Sequence, residues 1–146
     1  LSSSSAASDV YKRQMYGSTD EGGSFYVKTN TANIDSDSIF HAGDLNWWHW
    51  LGDMPENNAD AKRMAWREFK ELDGLSVDVA MFPVDNRLED AMEWGSIEFL
   101  RRVQVNKAFI PMHLNGPLWT PSVYFKALFG EVPIWEPQKD GDEATF

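Results

Sequence analysis

Residues 77–112 read VDVAMFPVDNRLEDAMEWGSIEFLRRVQVNKAFIPM, and this stretch decides the fold class. The mostly apolar run at 77–82 predicts a strand that Pro83 ends, and the apolar run at 108–112 predicts a second strand. Apolar residues recur at helical spacing between them and predict a helix over 88–103. Strands that alternate with helices in this way imply a sheet buried under helices.

The same alternation extends on both sides of this stretch. The other expected elements are strands at 24–28 and 38–42, a helix from 57 or 58 to about 72, a helix at 122–129 and a last strand at 132–135. The first two strands are expected to pair as a hairpin, and a long loop at 44–57 follows them. The whole order predicts an α/β protein of the layered α+β kind.

The composition excludes several classes of protein. The chain has 146 residues, with 13 Lys or Arg and 23 Asp or Glu, and a formal net charge of −10. It contains no cysteine, which excludes disulfides, thiolate metal sites and cysteine nucleophiles. The negative charge argues against a nucleic-acid partner, and no apolar run is long enough to cross a membrane. We therefore expect a cytoplasmic domain without a nucleic-acid or membrane partner.

The first fourteen residues, LSSSSAASDVYKRQ, differ in character from the rest of the chain. They lack the apolar stretch of a signal peptide, and their composition is typical of a disordered terminus. Residues 4–14 also resemble the in-frame translation of a sequencing adapter, as expected from a metagenomic assembly. We therefore expect a non-native, disordered tail over 1–14 and a protein domain over 15–146. The tail carries Lys12, Arg13 and Asp9, a net +1, so the domain carries −11.

Three polar side chains directly follow predicted strands, where ligands bind in layered folds. They are Asp44, Asp85 and His113. Asp44 and His113 are of the types that bind Zn²⁺, although a turn residue and a hydrogen-bonded loop histidine are the ordinary alternatives. Neighbouring parallel strands would place both at one edge of the sheet, but two ligands fall short of a catalytic zinc site. Asp85 is expected to form a local ion pair with Arg87.

The loop at 45–50, LNWWHW, carries three of the seven Trp residues. Three indole rings so close in sequence cannot all face one core, so at least one is expected to line a pocket or to contact another surface. A loop folded back over the sheet is the alternative. His49 could transfer a proton or contact substrate, or be an ordinary surface residue. His41, inside a predicted strand, is expected to pack.

Several strings resemble the metallo-β-lactamase superfamily, in particular a bacterial branch of small metallohydrolases. They are FHAGDLNWWHW at 40–50, VAMFPVD at 79–85 with Arg87 and Leu88 after it, and FIPMH at 109–113. The resemblance implies an αββα sandwich with a site, usually dinuclear, for divalent cations such as zinc. It further implies that Asp44 is the metal-bridging, catalytic carboxylate and that His113 is the last histidine ligand. The residues implied to border the substrate are Asn46, Trp47, Trp48 and His49.

The implied reaction is hydrolysis of an ester, lactone or phosphoester by a metal-activated water, and the fold does not select the substrate. The family's His-x-His-x-Asp-His motif and a further histidine ligand are absent from this sequence, which has three His. Asn86 also stands where the family commonly has Pro, a change expected to alter only loop stiffness. We therefore expect the C-terminal half of such a domain, truncated on its N-terminal side, inactive alone and with one sheet face exposed.

Two other functions stay open on the sequence. A non-catalytic binding module would use the Trp-rich loop 45–50 to hold a partner or a carbohydrate-like ligand without metal. A metal-independent carboxylate site would use Asp44, Asp53 and Asp85, whose separations the sequence does not fix. The resemblance favours the metallohydrolase.

Overall fold

The computed structural model describes residues 10–29 and 37–146, with residues 10 and 11 described by their backbone alone. The strands are β1 (Val10–Tyr16), β2 (Ser24–Thr29), β3 (Ser38–His41), β4 (Ser76–Pro83) and β5 (Gln104–Met112). The helical elements are α1 (Pro55–Lys70), a 3₁₀ segment (Asn86–Ala91), α2 (Trp94–Leu100) and α3 (Val123–Phe129). The predicted α+β class is confirmed. None of the helices within these described ranges has the length and apolar character needed to cross a bilayer.

The strands form one mixed sheet in the order β1-β2-β3-β4-β5. β1 pairs with β2 and β2 with β3 in antiparallel fashion, so the predicted hairpin of β2 and β3 is confirmed. β3, β4 and β5 are parallel neighbours, because α1 crosses between the first two and α2 between the last two. The C-terminal ends of these three strands therefore lie side by side at one edge of the sheet.

All three helices pack on the same face of the sheet. Phe82 of β4 stacks on Phe99 of α2, with 4.6 Å between the ring centroids, and lies 6.2 Å from Phe69 of α1. Phe109 of β5 lies 6.3 Å from Phe125 of α3. These five rings are fully buried. Burial of one such side chain stabilises the fold by roughly 1.5–3 kcal/mol, so this face carries the hydrophobic core.

The opposite face of the sheet is apolar but exposed. Met15, Phe25 and Ile39 are 72%, 47% and 36% exposed there. Val79 pairs with Ile39 on the same face, and Ile110 continues it on β5; both are half-buried. The expected exposed face is therefore present. Its coverage by a second sheet, as in a sandwich, stays a prediction.

The first strand differs from the expectation of a disordered tail over 1–14. Residues 10–14 lie in β1, which pairs with β2 from Val10 opposite Thr29 to Tyr16 opposite Ser24. The physical reason is that the edge of β2 offers unpaired N–H and C=O groups, which any extended backbone can satisfy. Residues 1–9 lie outside the described residues, and the adapter origin of the tail stays a prediction.

The helix predicted over 88–103 is divided into the 3₁₀ segment and α2. Glu89 has φ = 52°, a left-handed conformation that interrupts a right-handed helix. Glu93 immediately before α2 is buried, and its carboxylate accepts hydrogen bonds from Trp119 Nε1 at 3.0 Å and from Ser122 Oγ at 2.5 Å. These bonds tie the start of α2 to the chain that precedes α3.

Two further boundaries differ from the sequence-based expectation. α1 begins at Pro55, because proline is well accommodated in the first turn of a helix. Asn58, one of the two expected first residues, lies inside α1, and its side chain bonds the backbone N and O of Trp50 at 3.0 and 2.9 Å. The predicted strand at 132–135 is reduced to an isolated bridge between Ile134 and Phe109.

Candidate functional site

Asp44, His113 and Asp85 form a row across the sheet edge where β3, β4 and β5 end. His113 Nε2 lies 3.6 Å from Asp44 Oδ1, so the predicted proximity of these two residues is confirmed. On the other side of the ring, His113 Nδ1 lies 2.9 Å from Asp85 Oδ2. We call these three side chains the strand-end row. It places one imidazole ring between two carboxylates.

Asp44 is held through its backbone, which leaves its carboxylate accessible. Gly43 before it has φ = 57°, and a Cβ at that position would lie 2.6 Å from the carbonyl oxygen of Gly23, so glycine is required. The carbonyl of Asp44 accepts hydrogen bonds from Trp48 Nε1 at 2.9 Å and from Thr19 Oγ1 at 3.2 Å. Its side chain is 36% exposed and can therefore reach a ligand.

Asp85 is fully buried and accepts hydrogen bonds from three residues. Arg87 donates from its backbone N at 2.9 Å, from Nε at 3.0 Å and from Nη2 at 2.6 Å, so the predicted ion pair is confirmed. Asn115 donates from Nδ2 at 3.0 Å, and His113 is the third partner. Burial raises the pKa of Asp85, but these hydrogen bonds outweigh it and lower the pKa to about 2. At neutral pH Asp85 is therefore an ionised acceptor.

A loop with unusual backbone geometry carries His113. His113 has φ = 59° and Asn115 has φ = 46°, in a region that costs a residue other than glycine about 1–2 kcal/mol. Asn86 holds this loop: its backbone N and its Nδ2 donate to the carbonyl of Leu114 at 2.9 and 2.7 Å. Nδ2 also donates to Pro117 O at 3.0 Å. Asn86 thus does more than alter loop stiffness, because it ties the loop after β4 to the loop after β5.

Of the strand-end row, His113 lines a cleft of about 460 Å³, whereas Asp44 and Asp85 do not. His113 and Arg87 line the cleft together with Trp48 and Trp50, whose rings stack 6.2 Å apart at an angle of 10°. Other lining residues are the apolar Ala61 and Met64 of α1 and the carboxylates Asp20, Asp53 and Asp60. The volume lies in the range of small-molecule sites.

Of the four residues implied to border the substrate, Trp48 lines this cleft. Asn46 is fully buried, and its Oδ1 accepts a hydrogen bond from Trp47 N at 2.9 Å. Trp47 and His49 pack against Trp94 instead, with ring centroids 5.0 and 4.7 Å away. A hydrogen bond of 2.8 Å from His49 N to Trp47 O closes a tight turn here, and both rings lie away from the cleft. Asn46, Trp47 and His49 therefore do not line this cleft, and their implied contact with substrate stays a prediction.

His41 also differs from expectation. The alternation of β3 puts Phe40 in the core and leaves His41 exposed on the opposite face. Its Nδ1 accepts a hydrogen bond from Gly43 N at 3.0 Å, so it shapes the turn that leads to Asp44 rather than packing in the core.

Within residues 10–29 and 37–146, the His, Asp and Glu side chains form no group of three arranged to hold a metal ion. Asp44 and His113 are thus two potential ligands, with Asp85 on the far side of the histidine ring. Comparisons with protein-family models, curated proteins and solved structures found no match.

Proposed function

We propose that this chain is part of a metal-dependent hydrolase of the metallo-β-lactamase superfamily, in which Asp44 and His113 hold a divalent cation. The observation that supports the proposal is the 3.6 Å approach of His113 Nε2 to Asp44 Oδ1. His113 also lines the cleft. The sequence strings that resemble this superfamily end in or contain these two residues.

The donor set fits zinc. Zinc binds histidine nitrogen and carboxylate oxygen at about 2.0–2.2 Å, so two such ligands of one tetrahedral ion lie roughly 3.4 Å apart. The separation of 3.6 Å between the two side-chain atoms is close to this value. A catalytic zinc usually has three protein ligands and a water, so we expect this pair alone to hold the ion weakly.

A pair of divalent cations, when bound, would lower the pKa of a coordinated water and polarise an ester, lactone or phosphoester oxygen. The residues of this chain would bind and orient the small-molecule substrate. Trp48 and Trp50 offer an apolar wall on which its non-polar part can pack. Arg87, held by Asp85, places a guanidinium beside His113 at the cleft.

Zinc titration of the full chain, followed by competition with a coloured chelator, tests this function. Asp44→Ala and His113→Gln should each weaken zinc binding by more than about tenfold, because each removes one of two ligands. Asp78→Asn is the matched control, since Asp78 lies on β4 and its carboxylate accepts hydrogen bonds from Ser38 N and Oγ. Equal zinc affinity in all four proteins would contradict the proposal.

The same proteins test the expectation that the chain alone is inactive. With zinc present, we expect no turnover of a lactone or a phosphodiester. Turnover by the wild-type chain that Asp44→Ala abolishes would show that two ligands suffice, and it would overturn that expectation.

The Trp48–Trp50 stack favours one second candidate, the non-catalytic binding module. Trp50 is 36% exposed beside the cleft, and Arg87 lies 5.4 Å from its ring centroid. Aromatic rings placed in this way can hold a carbohydrate-like ligand without metal. Binding to a carbohydrate array in the presence of a chelator, lost in Trp50→Ala and kept in Asp44→Ala, would favour this module over the hydrolase.

A further inference from the structure

We propose that Asp85 is a positioning residue that keeps the proton of the His113 ring on Nδ1, so that the lone pair of Nε2 faces Asp44. The identity of the ion that this lone pair would bind rests on the proposed function. The tautomer itself is a property of the metal-free chain and can be measured without any ion.

The first argument is the chemistry of the acceptor. Asp85 has no exposed surface, and both of its carboxylate oxygens accept hydrogen bonds, Oδ1 from Arg87 N and Oδ2 from Arg87 Nη2 and Asn115 Nδ2. Its Oδ2 lies 2.9 Å from His113 Nδ1. A ring nitrogen at this distance from a carboxylate is favoured as an N–H donor, because its lone pair would face another lone pair. In a neutral ring the proton on Nδ1 leaves Nε2 without one.

Asn115 offers the only competing partner for Nδ1 among the described residues, at 3.0 Å from its Nδ2. Both hydrogens of that amide have other acceptors: Asp85 Oδ2 at 3.0 Å and the backbone carbonyl of His113 at 3.3 Å. The amide therefore does not need the lone pair of Nδ1. The Asn115 amide lies near the ring because Asn115 Nδ2 and His113 Nδ1 both approach Asp85 Oδ2.

The second argument is that Asp85 cannot readily turn away from the ring. Arg87 grips both carboxylate oxygens, with Nε at 3.0 Å from Oδ1 and Nη2 at 2.6 Å from Oδ2. The backbone N of Arg87 fixes Oδ1 as well, at 2.9 Å. A carboxylate held by a bidentate arginine has a defined orientation. Asp85, on the side of the ring away from Asp44, therefore fixes the orientation of the His113 ring.

The third argument is what lies on the other side of the ring. Nε2 points to Asp44 Oδ1 at 3.6 Å, beyond the range of a hydrogen bond. Trp48 meets the ring edge-on, with 5.4 Å between centroids, and limits its tilt. A carboxylate behind a histidine is the usual arrangement that orients a metal-bound imidazole and increases its basicity. Asp85 thus prepares His113 for a cation shared with Asp44.

Long-range ¹⁵N–¹H NMR correlation of the histidine rings in the metal-free full chain reads the tautomer directly. Spectra are recorded over a range of pH, and the tautomer is read where the His113 signals are those of the neutral ring. The spectrum of His113→Gln identifies the His113 signals among the three histidines. We expect the Nδ1–H tautomer in the wild type. A wild-type ring that carries its proton on Nε2 would overturn the proposal without any variant.

Asp85→Asn and Asp85→Ala then test the cause. Removal of the carboxylate should shift the His113 ring towards the Nε2–H tautomer, with the larger shift in Asp85→Ala. The matched control is Asp78→Asn, a carboxylate on β4, the strand that precedes Asp85; it accepts hydrogen bonds from Ser38 N and Oγ, each at 2.8 Å, and does not contact His113. An unchanged tautomer in folded Asp85→Ala would refute the assignment, and so would an equal shift in Asp78→Asn. If Asp85→Ala fails to fold, the wild-type tautomer decides, because the amide oxygen of Asp85→Asn can still accept a hydrogen bond from Nδ1.

Zinc affinity provides the readout that depends on the ion. Loss of a carboxylate behind a metal-bound histidine typically weakens metal binding by about 10–100-fold. We expect a loss of this size in Asp85→Asn and none in Asp78→Asn. If the wild-type chain binds no zinc while its ring shows the Nδ1–H tautomer, the proposed function fails and the positioning role of Asp85 stands. If zinc binds and Asp85→Asn leaves its affinity unchanged, the positioning role fails and the function stands.

Discussion

Acid should remove a stabilising contribution of Asp85 within a defined range of pH. Burial alone would raise the pKa of Asp85, but hydrogen bonds from Arg87, His113 and Asn115 outweigh it and lower the pKa from 3.8 to about 2. The folded state therefore binds this proton less readily than the unfolded state does. The contribution is complete above about pH 4 and is lost as the pH falls through about 2. At 1.36 kcal/mol per pKa unit it amounts to roughly 2 kcal/mol.

Urea unfolding followed by circular dichroism measures this contribution when the wild type is compared with Asp85→Asn. The free energy of unfolding of the variant should be roughly 2 kcal/mol lower than that of the wild type at about pH 6, and the difference should shrink between about pH 4 and pH 2. The two proteins share every other titrating carboxylate, so their difference isolates this one. A difference that is the same at about pH 6 and pH 3 would refute the account of Asp85 as an ionised, multiply bonded acceptor.

Three substitutions test the position of the core on one face of the sheet and the packing of the Trp-rich loop at residues 45–50. In urea unfolding, Phe99→Ala should lower the free energy of unfolding by roughly 3–5 kcal/mol. Phe25→Ala, on the exposed sheet face, should change it by less than about 0.5 kcal/mol. Similar losses in the two variants would contradict a core on one face only. Gly95→Ala should cost about 1–3 kcal/mol and lower the midpoint of thermal unfolding, since the added Cβ would overlap Asn46 Oδ1 and lie 2.9 Å from Trp47 N. An unchanged midpoint would show that Asn46 is free to move aside.

The sequence predicted the sheet edge well because strand ends follow from short-range patterns. Apolar runs locate β3, β4 and β5, and the parallel order follows from the helices between them. Asp44 and His113 could therefore be placed at one edge from the sequence. The distance between them could not be predicted, because it depends on the left-handed backbone at His113, and no local sequence pattern indicates that conformation.

The role of Asp85 was predicted only in part. Its pairing with Arg87 is a contact two residues apart and can be read from the sequence. Its contact with His113 joins residues 28 positions apart and depends on which way two loops turn, a tertiary property. One signal was present: Asp85 follows the strand that lies between those of Asp44 and His113. Strand order alone would put Asp85 between the other two residues, whereas the structure puts the His113 ring between the two carboxylates.

The division of the predicted helix at 88–103 has a similar origin. Its apolar spacing is helical throughout, and local propensity alone would continue it. Glu93 breaks the pattern, because its buried carboxylate bonds Trp119 and Ser122 in a distant segment. A helix boundary set by side-chain bonds across the fold cannot be located from the helix sequence alone.

The exposed apolar face and the strand-end row belong to different surfaces of the sheet, one broad and one at its rim. Any layer laid against Phe25 and Ile39 would therefore leave the ends of β3, β4 and β5 open, and it could add a wall to the cleft. In practice, a mild detergent that covers the exposed apolar face should reduce aggregation of the purified chain without blocking access to Asp44 and His113.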